Sequence, residues 1–193
     1  MANSHKPTKM KKTWAVVLII AGIIVIYAWS SYNGLVSASE SVDQLWAQVE
    51  TQYQRRFDLI PNLVSSVRGA MQQEQKVFGD LAEARTRYAG AASISEKVAA
   101  ANQVESALAR LLVVMENYPQ LKSIEAVQTL MVQLEGTENR ISVERKRFNE
   151  EVQVYNLKVK RFPGKIMAAV FGFEEKEYFQ STEGAENAPQ VNF

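Results

Sequence analysis

Residues 13–32 read TWAVVLIIAGIIVIYAWSSY, twenty positions without a charged side chain. Wound as a helix, such a run satisfies its own backbone hydrogen bonds, and at about 1.5 Å per residue it matches a hydrocarbon core of about 30 Å. Trp14 at one end and Tyr27, Trp29 and Tyr32 at the other are amphipathic rings suited to the two headgroup layers. The run therefore predicts a single N-terminal transmembrane helix, with residues 1–12 as a short basic cytoplasmic tail. A cleaved signal peptide is the alternative, since Lys6, Lys9, Lys11 and Lys12 form a basic start and Ala28-Trp29-Ser30 a weak small-x-small site. The length of the run and its bulky aromatic end favour an uncleaved anchor.

Four lysines precede the span, and no Lys or Arg follows it until Arg55. Positive charge is retained on the cytoplasmic side, so the bulk of the chain is expected across the membrane. A net charge of +1 and an acidic C-terminal stretch give no reason to expect nucleic acid as a partner. The absence of cysteine fits either side of a membrane.

Beyond the span, alternating strand patterns and hairpin dipeptides are lacking, and the periodicity is helical. Val127, Leu134, Ile141, Phe148, Tyr155 and Phe162 recur every seventh residue, a seam that predicts a long helix over about 125–161 in a left-handed bundle. A second seam joins Leu35, Val42, Trp46, Val49, Tyr53 and Ile60. Leu63, Val67, Ala70, Val77, Leu81 and Tyr88 form a third, and Val98, Ala101, Leu108, Leu111, Leu112 and Met115 a fourth. The expected fold is all-α: the transmembrane helix, then a long-helix antiparallel bundle of the four-helix type over 33–173, then an acidic flexible tail over 174–193.

Punctuation agrees with these boundaries. Pro61 predicts a kink or a restart. Ser93 and Glu96 have capping-box spacing, and Ser123 is placed to cap the long helix. Pro163-Gly164 should end that helix, leaving KIMAAVFGF to pack on the bundle or lie on a bilayer surface.

Several blocks then occur in order: YNGLV, QYQRRFDLIPNLVSSVRG, LLVVMENYPQLK, GTENRISVERKRFNEEVQVYN, RFP, GF and the terminal PQVNF. Together they resemble the LemA family of bacterial membrane proteins over nearly all of residues 32–193. The resemblance implies a single-pass protein of the bacterial inner (plasma) membrane carrying a long-helix antiparallel bundle, and it implies no reaction. Some members of the family are associated with membrane-bounded compartments, and others are linked to envelope stress and membrane proteases.

The residues give little scope for catalysis. A di-iron carboxylate centre needs two Glu-x-x-His motifs, and the single histidine is His5 in the basic tail. Thiol chemistry, cysteine-ligated zinc and Ser-His catalysis lack their side chains, and no phosphate-loop glycine pattern occurs. No catalytic residue, metal or cofactor is therefore expected. Glu74, Glu138 and Arg140 interrupt apolar seams and read either as a polar layer that fixes helix register or as a small-ligand site. Arg55 and Arg56, with Tyr178, Phe179, Val191 and Phe193 of the tail, are candidate contacts between copies: an extended acidic strip ending in PQVNF can dock on a neighbour's basic region.

Two classes of function follow. One is a self-assembling, membrane-anchored scaffold whose partners are the lipid bilayer, further copies of itself and other envelope membrane proteins. The other is a ligand or stress sensor that passes its state to another membrane protein, because the tail before the span is too short for a signalling module.

Overall fold

The computed structural model describes residues 8–180, with side chains from Thr13 onward. Five α-helices follow one another: α1 (Thr8–Val67), α2 (Gln75–Gly90), α3 (Ile94–Met115), α4 (Glu125–Lys160) and α5 (Gly164–Phe171), with a 3-10 turn at Pro119–Ser123. Among the described residues there is no strand. They divide into two compact units: the described parts of Met1–Asp43 with Glu151–Lys176, and Gln44–Glu150 with the described part of Glu177–Phe193.

The second unit is a four-helix bundle whose pairings reveal the chain directions. Trp46 meets Phe148 edge-on at 5.6 Å, while Arg56, further along α1, pairs with Glu138, earlier in α4, so these two helices run antiparallel. Along α3 the order is the same as along α1: Glu50 pairs with Lys97, and Tyr53 donates to Glu105. Arg87 bonds Gln103 and Asp80 approaches Arg110, which makes α2 antiparallel to α3. The bundle is thus up-down-up-down. Its interior holds Val49, Tyr53, Ile60, Leu81, Leu108, Leu111 and Ile141, all essentially without solvent contact.

Most of the predicted seams are buried, and three departures have physical causes. First, α1 continues through Pro61 rather than restarting there. A helix-interior proline costs about 3 kcal/mol. Burial of Phe57, Ile60 and Leu63 on either side, at about 2 kcal/mol each, more than offsets it. Second, the seam from Leu63 to Tyr88 belongs to two helices, because the chain turns after Val67, with Ala70 and Met71 N–H groups both donating to the Val67 carbonyl. That turn leaves Ala70 exposed and sends Met71 and Phe78 inward instead. Third, Phe162 leaves the heptad and is 81% exposed. Pro163 disfavours helical geometry in the residue before it, so α4 stops at Lys160 and the seven-residue phase ends with it.

Capping at α3 follows the predicted pattern in full: Ser93 Oγ accepts from the Glu96 N–H, and the Glu96 carboxylate accepts from the Ser93 and Ala92 N–H groups. Those two backbone donors hold the Glu96 carboxyl below its usual pKa. Ser123 does not cap α4; its hydroxyl donates back to the Gln120 carbonyl inside the 3-10 turn.

In the first unit, Leu35, Ala38 and Val42 of α1 are buried, as are Val152, Tyr155 and Val159 of α4 and Ala168 of α5. Gly164 permits the close turn into α5, since a Cβ there would collide with the Lys158 carbonyl oxygen. Gly172 closes α5 at φ +75°, a left-handed C-terminal conformation that glycine adopts without strain. The Tyr32 ring then packs at a tilt against Phe171, 4.8 Å between centres, and edge-on to Phe173 at 5.9 Å. Upstream of Tyr32 the apolar window of α1 has none of its residues covered by the protein, with Leu18, Ile26 and Trp29 among the exposed side chains. Helix α3 is also apolar and long enough to cross a membrane, but its stripe of Ala101, Val104, Leu108 and Leu111 forms bundle core.

Candidate functional site

Within the bundle unit, two arginines and two glutamates meet at a layer crossed by α1, α3 and α4. Arg56 occupies a seam position of α1 between Tyr53 and Ile60, and a guanidinium brought inward there needs partners, because an unpaired buried charge is costly. Its Nη1 donates to Glu138 Oε2 and lies 3.8 Å from Glu105 Oε1. Arg145, one helical turn before Phe148 on α4, donates through Nη2 to Glu105 and to the Tyr53 oxygen, and through Nε to that same oxygen at 2.9 Å. The Tyr53 hydroxyl completes the set by donating to Glu105 Oε1 at 3.2 Å. Two cations and two anions cancel, so the layer carries no net charge into the bundle.

Burial, and next the Glu105 carboxylate, push the Tyr53 phenol far above its ordinary value, so it stays a neutral donor. Burial opposes the Arg145 cation, but the Tyr53 oxygen and Glu105 outweigh it and raise its pKa. Arg56 is 8% exposed, and its Nε is buried without a hydrogen-bond partner.

A segment without regular secondary structure covers the layer. Phe179 is buried with its ring nearly parallel to that of Tyr53, 6.4 Å away, and the Arg145 guanidinium lies 4.3 Å from the Phe179 ring centre. Asn149 fixes the Phe179 backbone, accepting from its N–H at 2.7 Å and donating to its carbonyl at 3.0 Å. In the other unit, Asn156 treats Lys176 identically, with both bonds at 2.9 Å, and the Tyr155 hydroxyl donates to the Glu174 carbonyl. Residues 174–180 are thus held in place, and the tail boundary that acidic composition suggested at 174 falls inside a packed segment.

Of the residues singled out in the sequence, the structure brings together Glu138, Arg56 and Phe179. Glu74 stands apart, half-buried before α2, where it accepts from the Tyr118 hydroxyl at 3.3 Å. Arg140 is exposed. Arg55 is also exposed, and its neighbour Asp58 accepts from Gln54. Tyr178 points outward beside the buried Phe179, and Trp14, Tyr27, Trp29 and Tyr32 are all exposed. Val191, Phe193 and the PQVNF terminus lie outside the described residues, as do His5 and the side chains of Lys6, Lys9, Lys11 and Lys12. Sequence reading missed Glu105, Arg145, Tyr53 as a polar partner, and both asparagines. Arg145 had a detectable signal, since the half-heptad positions between Leu134, Ile141 and Phe148 are filled by Thr137-Glu138 and Glu144-Arg145 where apolar residues would be expected.

Chemically the layer is an exchange of hydrogen bonds that leaves the Arg56 Nε unpartnered. It offers no activated nucleophile, and among the described residues no group of three His, Cys, Asp or Glu side chains is placed to hold a metal ion. Its physical effect is on register: sliding α4 by one turn against α1 would separate Arg56 from Glu138 and Tyr53 from Arg145.

The profile of the LemA family matches residues 45–193, which includes the whole of the charged layer and the segment that covers it. Magnetosome proteins MamQ 1 and MamQ 2 of Paramagnetospirillum magneticum are each 26% identical to the chain, over 86% of its length and 69% of theirs. Magnetosome protein MamQ of Magnetospirillum gryphiswaldense is 24% identical over 90% of the chain and 72% of its own length.

Proposed function

Because this chain belongs to the LemA family, we propose that it is a non-enzymatic, single-pass membrane protein whose helical bundle self-assembles into a scaffold at the bacterial envelope. The observation that carries the reading is the uncovered apolar face of α1. An 18-residue apolar window with none of its residues buried would be untenable in water and fits a hydrocarbon core. The lysines before the span support a bundle on the exoplasmic side. The internally neutralised layer supports a framework rather than a reactive cleft, and the magnetosome relatives are named for a cellular structure rather than a reaction.

Anchored copies meet in two dimensions at high effective concentration, so a weak contact is amplified. The acidic strip ending at Val191 and Phe193 is the proposed contact, reaching the exposed Arg55 face of a neighbour. A head-to-tail contact of that kind closes into rings or grows into filaments. Crosslinking in membranes tests this: intact protein should give a ladder, and deletion of residues 180–193 should shorten it. A monomeric intact protein would defeat the scaffold. A reporter fused after Phe193 should be active only outside the cytoplasm.

The buried, unpartnered Arg56 Nε favours a second reading, in which a small ligand enters the layer and the bundle reports it to another membrane protein. Under that reading the extracted protein is monomeric and its melting temperature rises with ligand.

A further inference from the structure

Residues 157–173, LKVKRFPGKIMAAVFGF, contain four cations and no anion. In the first unit they form the end of α4, the turn at Pro163 and all of α5. Their apolar side chains do not all pack inward. Ala168 is buried, but Ile166 and Val170, one turn apart on α5, are 50% and 68% exposed, and Phe162 is more exposed still. An eight-residue helix with exposed Ile, Val and Phe, flanked by Lys158, Arg161 and Lys165, has the composition of a segment that lies in a membrane interface.

Its position within the unit says which interface. Phe171, the last residue of α5, packs at a tilt against Tyr32, the residue that ends the apolar span, so α5 finishes where the span stops. A cleft of about 460 Å³ is lined by Tyr27 and Ser31 of the span's end and by Lys158, Arg161 and Phe162 of the α4 terminus. Lys158 Nζ has only a long 3.5 Å contact, to the Gly34 carbonyl. An aromatic floor beside two cations at the level where a span leaves the hydrocarbon complements a phospholipid headgroup, with phosphate on the cations and glycerol on the rings.

We infer that α5 and the Phe162 turn form a second membrane contact, lying in the headgroup layer of the bilayer that holds α1, with Lys158, Arg161 and Lys165 on lipid phosphates. This rests on the reading of α1 as a membrane anchor. The contact would fix the angle at which the unit leaves the membrane, a constraint that a single span does not supply.

The chain has no cysteine, so single labels are clean. Full-length protein carrying an environment-sensitive fluorophore at Val170→Cys or Ile166→Cys is reconstituted in phosphatidylcholine vesicles, with and without phosphatidylglycerol, containing lipids spin-labelled near the headgroup. Both labels should lose most of their emission. A label at Ile24→Cys should be quenched by deep spin labels. Lys158→Gln, Arg161→Gln and Lys165→Gln together should weaken quenching at position 170, most in the anionic vesicles. Unquenched labels at 166 and 170 beside a quenched Ile24→Cys label would overturn the surface contact and leave the anchor intact. An unquenched Ile24→Cys label would bring down the anchor and the inference with it.

Discussion

The Arg145 guanidinium lies 4.3 Å from the centre of the Phe179 ring, so a cation from the long helix α4 is covered by an aromatic side chain from the segment that follows α5. The same guanidinium donates hydrogen bonds to the Tyr53 oxygen and to Glu105. Phe179 therefore both buries apolar area and shields an ion pair from water. Phe179→Ala should lower bundle stability by about 3 kcal/mol, while Phe179→Leu, which keeps most of the area and loses the ring, should cost about 1 kcal/mol. Denaturant unfolding of the detergent-solubilised chain measures both. Equal losses would mean that the ring over Arg145, and not the buried area, carries the contact.

The two glutamates of the layer differ in depth, which ranks their importance. Glu105 is 21% exposed and serves both arginines, whereas Glu138 is 45% exposed and serves Arg56. Glu105→Gln should cost about 2–3 kcal/mol, because it strands Arg145 and weakens the partnering of Arg56. Solvent screens the other pair, so Glu138→Gln should cost about 1 kcal/mol or less. The reverse order in thermal melts would refute the arrangement.

Helix identities, the seam on α4 and the α3 capping box were legible in the sequence because each depends on spacing within one element. Arg56 was legible as a residue but not in its role: its neighbour Arg55 has the same chemistry, and only the packing of α3 and α4 turns one inward and leaves the other in solvent. Glu105 gave no signal, since a glutamate beside Val104 on an amphipathic helix is ordinary. Asn149 and Asn156 each follow a seam residue, Phe148 and Tyr155, and stand seven apart. That repeat marks one helical face, but the backbone it grips lies 20 to 30 residues further along the chain. Phe162 misled because a heptad count does not register where a proline stops the helix.

Tyr88 is buried, and its hydroxyl has no hydrogen-bond partner. Burial, and after it the Glu50 carboxylate, raise its pKa well above the ordinary value near 10. Below pH 10 the phenol is neutral in both folded and unfolded chains, so its contribution is constant. As pH rises past 10 the unfolded chain releases the proton while the folded chain keeps it, so stability falls by up to about 1.4 kcal/mol per pH unit for this group. Tyr88→Phe should raise stability by about 1 kcal/mol at neutral pH by deleting an unsatisfied hydroxyl, and should make the alkaline decline shallower. Melts between pH 7 and 11 test both. A variant less stable than the parent at neutral pH would indicate a hydrogen bond to Tyr88.

Asn149 and Asn156 each use both ends of an amide, the oxygen accepting a backbone N–H and the nitrogen donating to the same residue's carbonyl. A carboxylate has nearly the same shape but no donor, and it would set a negative charge against that carbonyl. Asn156 is 3% exposed, so Asn156→Asp should cost about 2–4 kcal/mol, combining a lost hydrogen bond with a desolvated charge. Asn149 is only half-buried, so Asn149→Asp should cost less. The new carboxyl at position 156 would have a raised pKa in the folded chain. Its protonated, donor-bearing form is favoured on folding, and the deficit should shrink as pH falls toward 4 and below. Freed backbone should also become cleavable: trypsin at Lys176 in Asn156→Asp, and chymotrypsin at Tyr178 in Asn149→Asp. Cleavage rates identical to the parent's, or a deficit that deepens on acidification, would show that the segment is held by something other than these two amides.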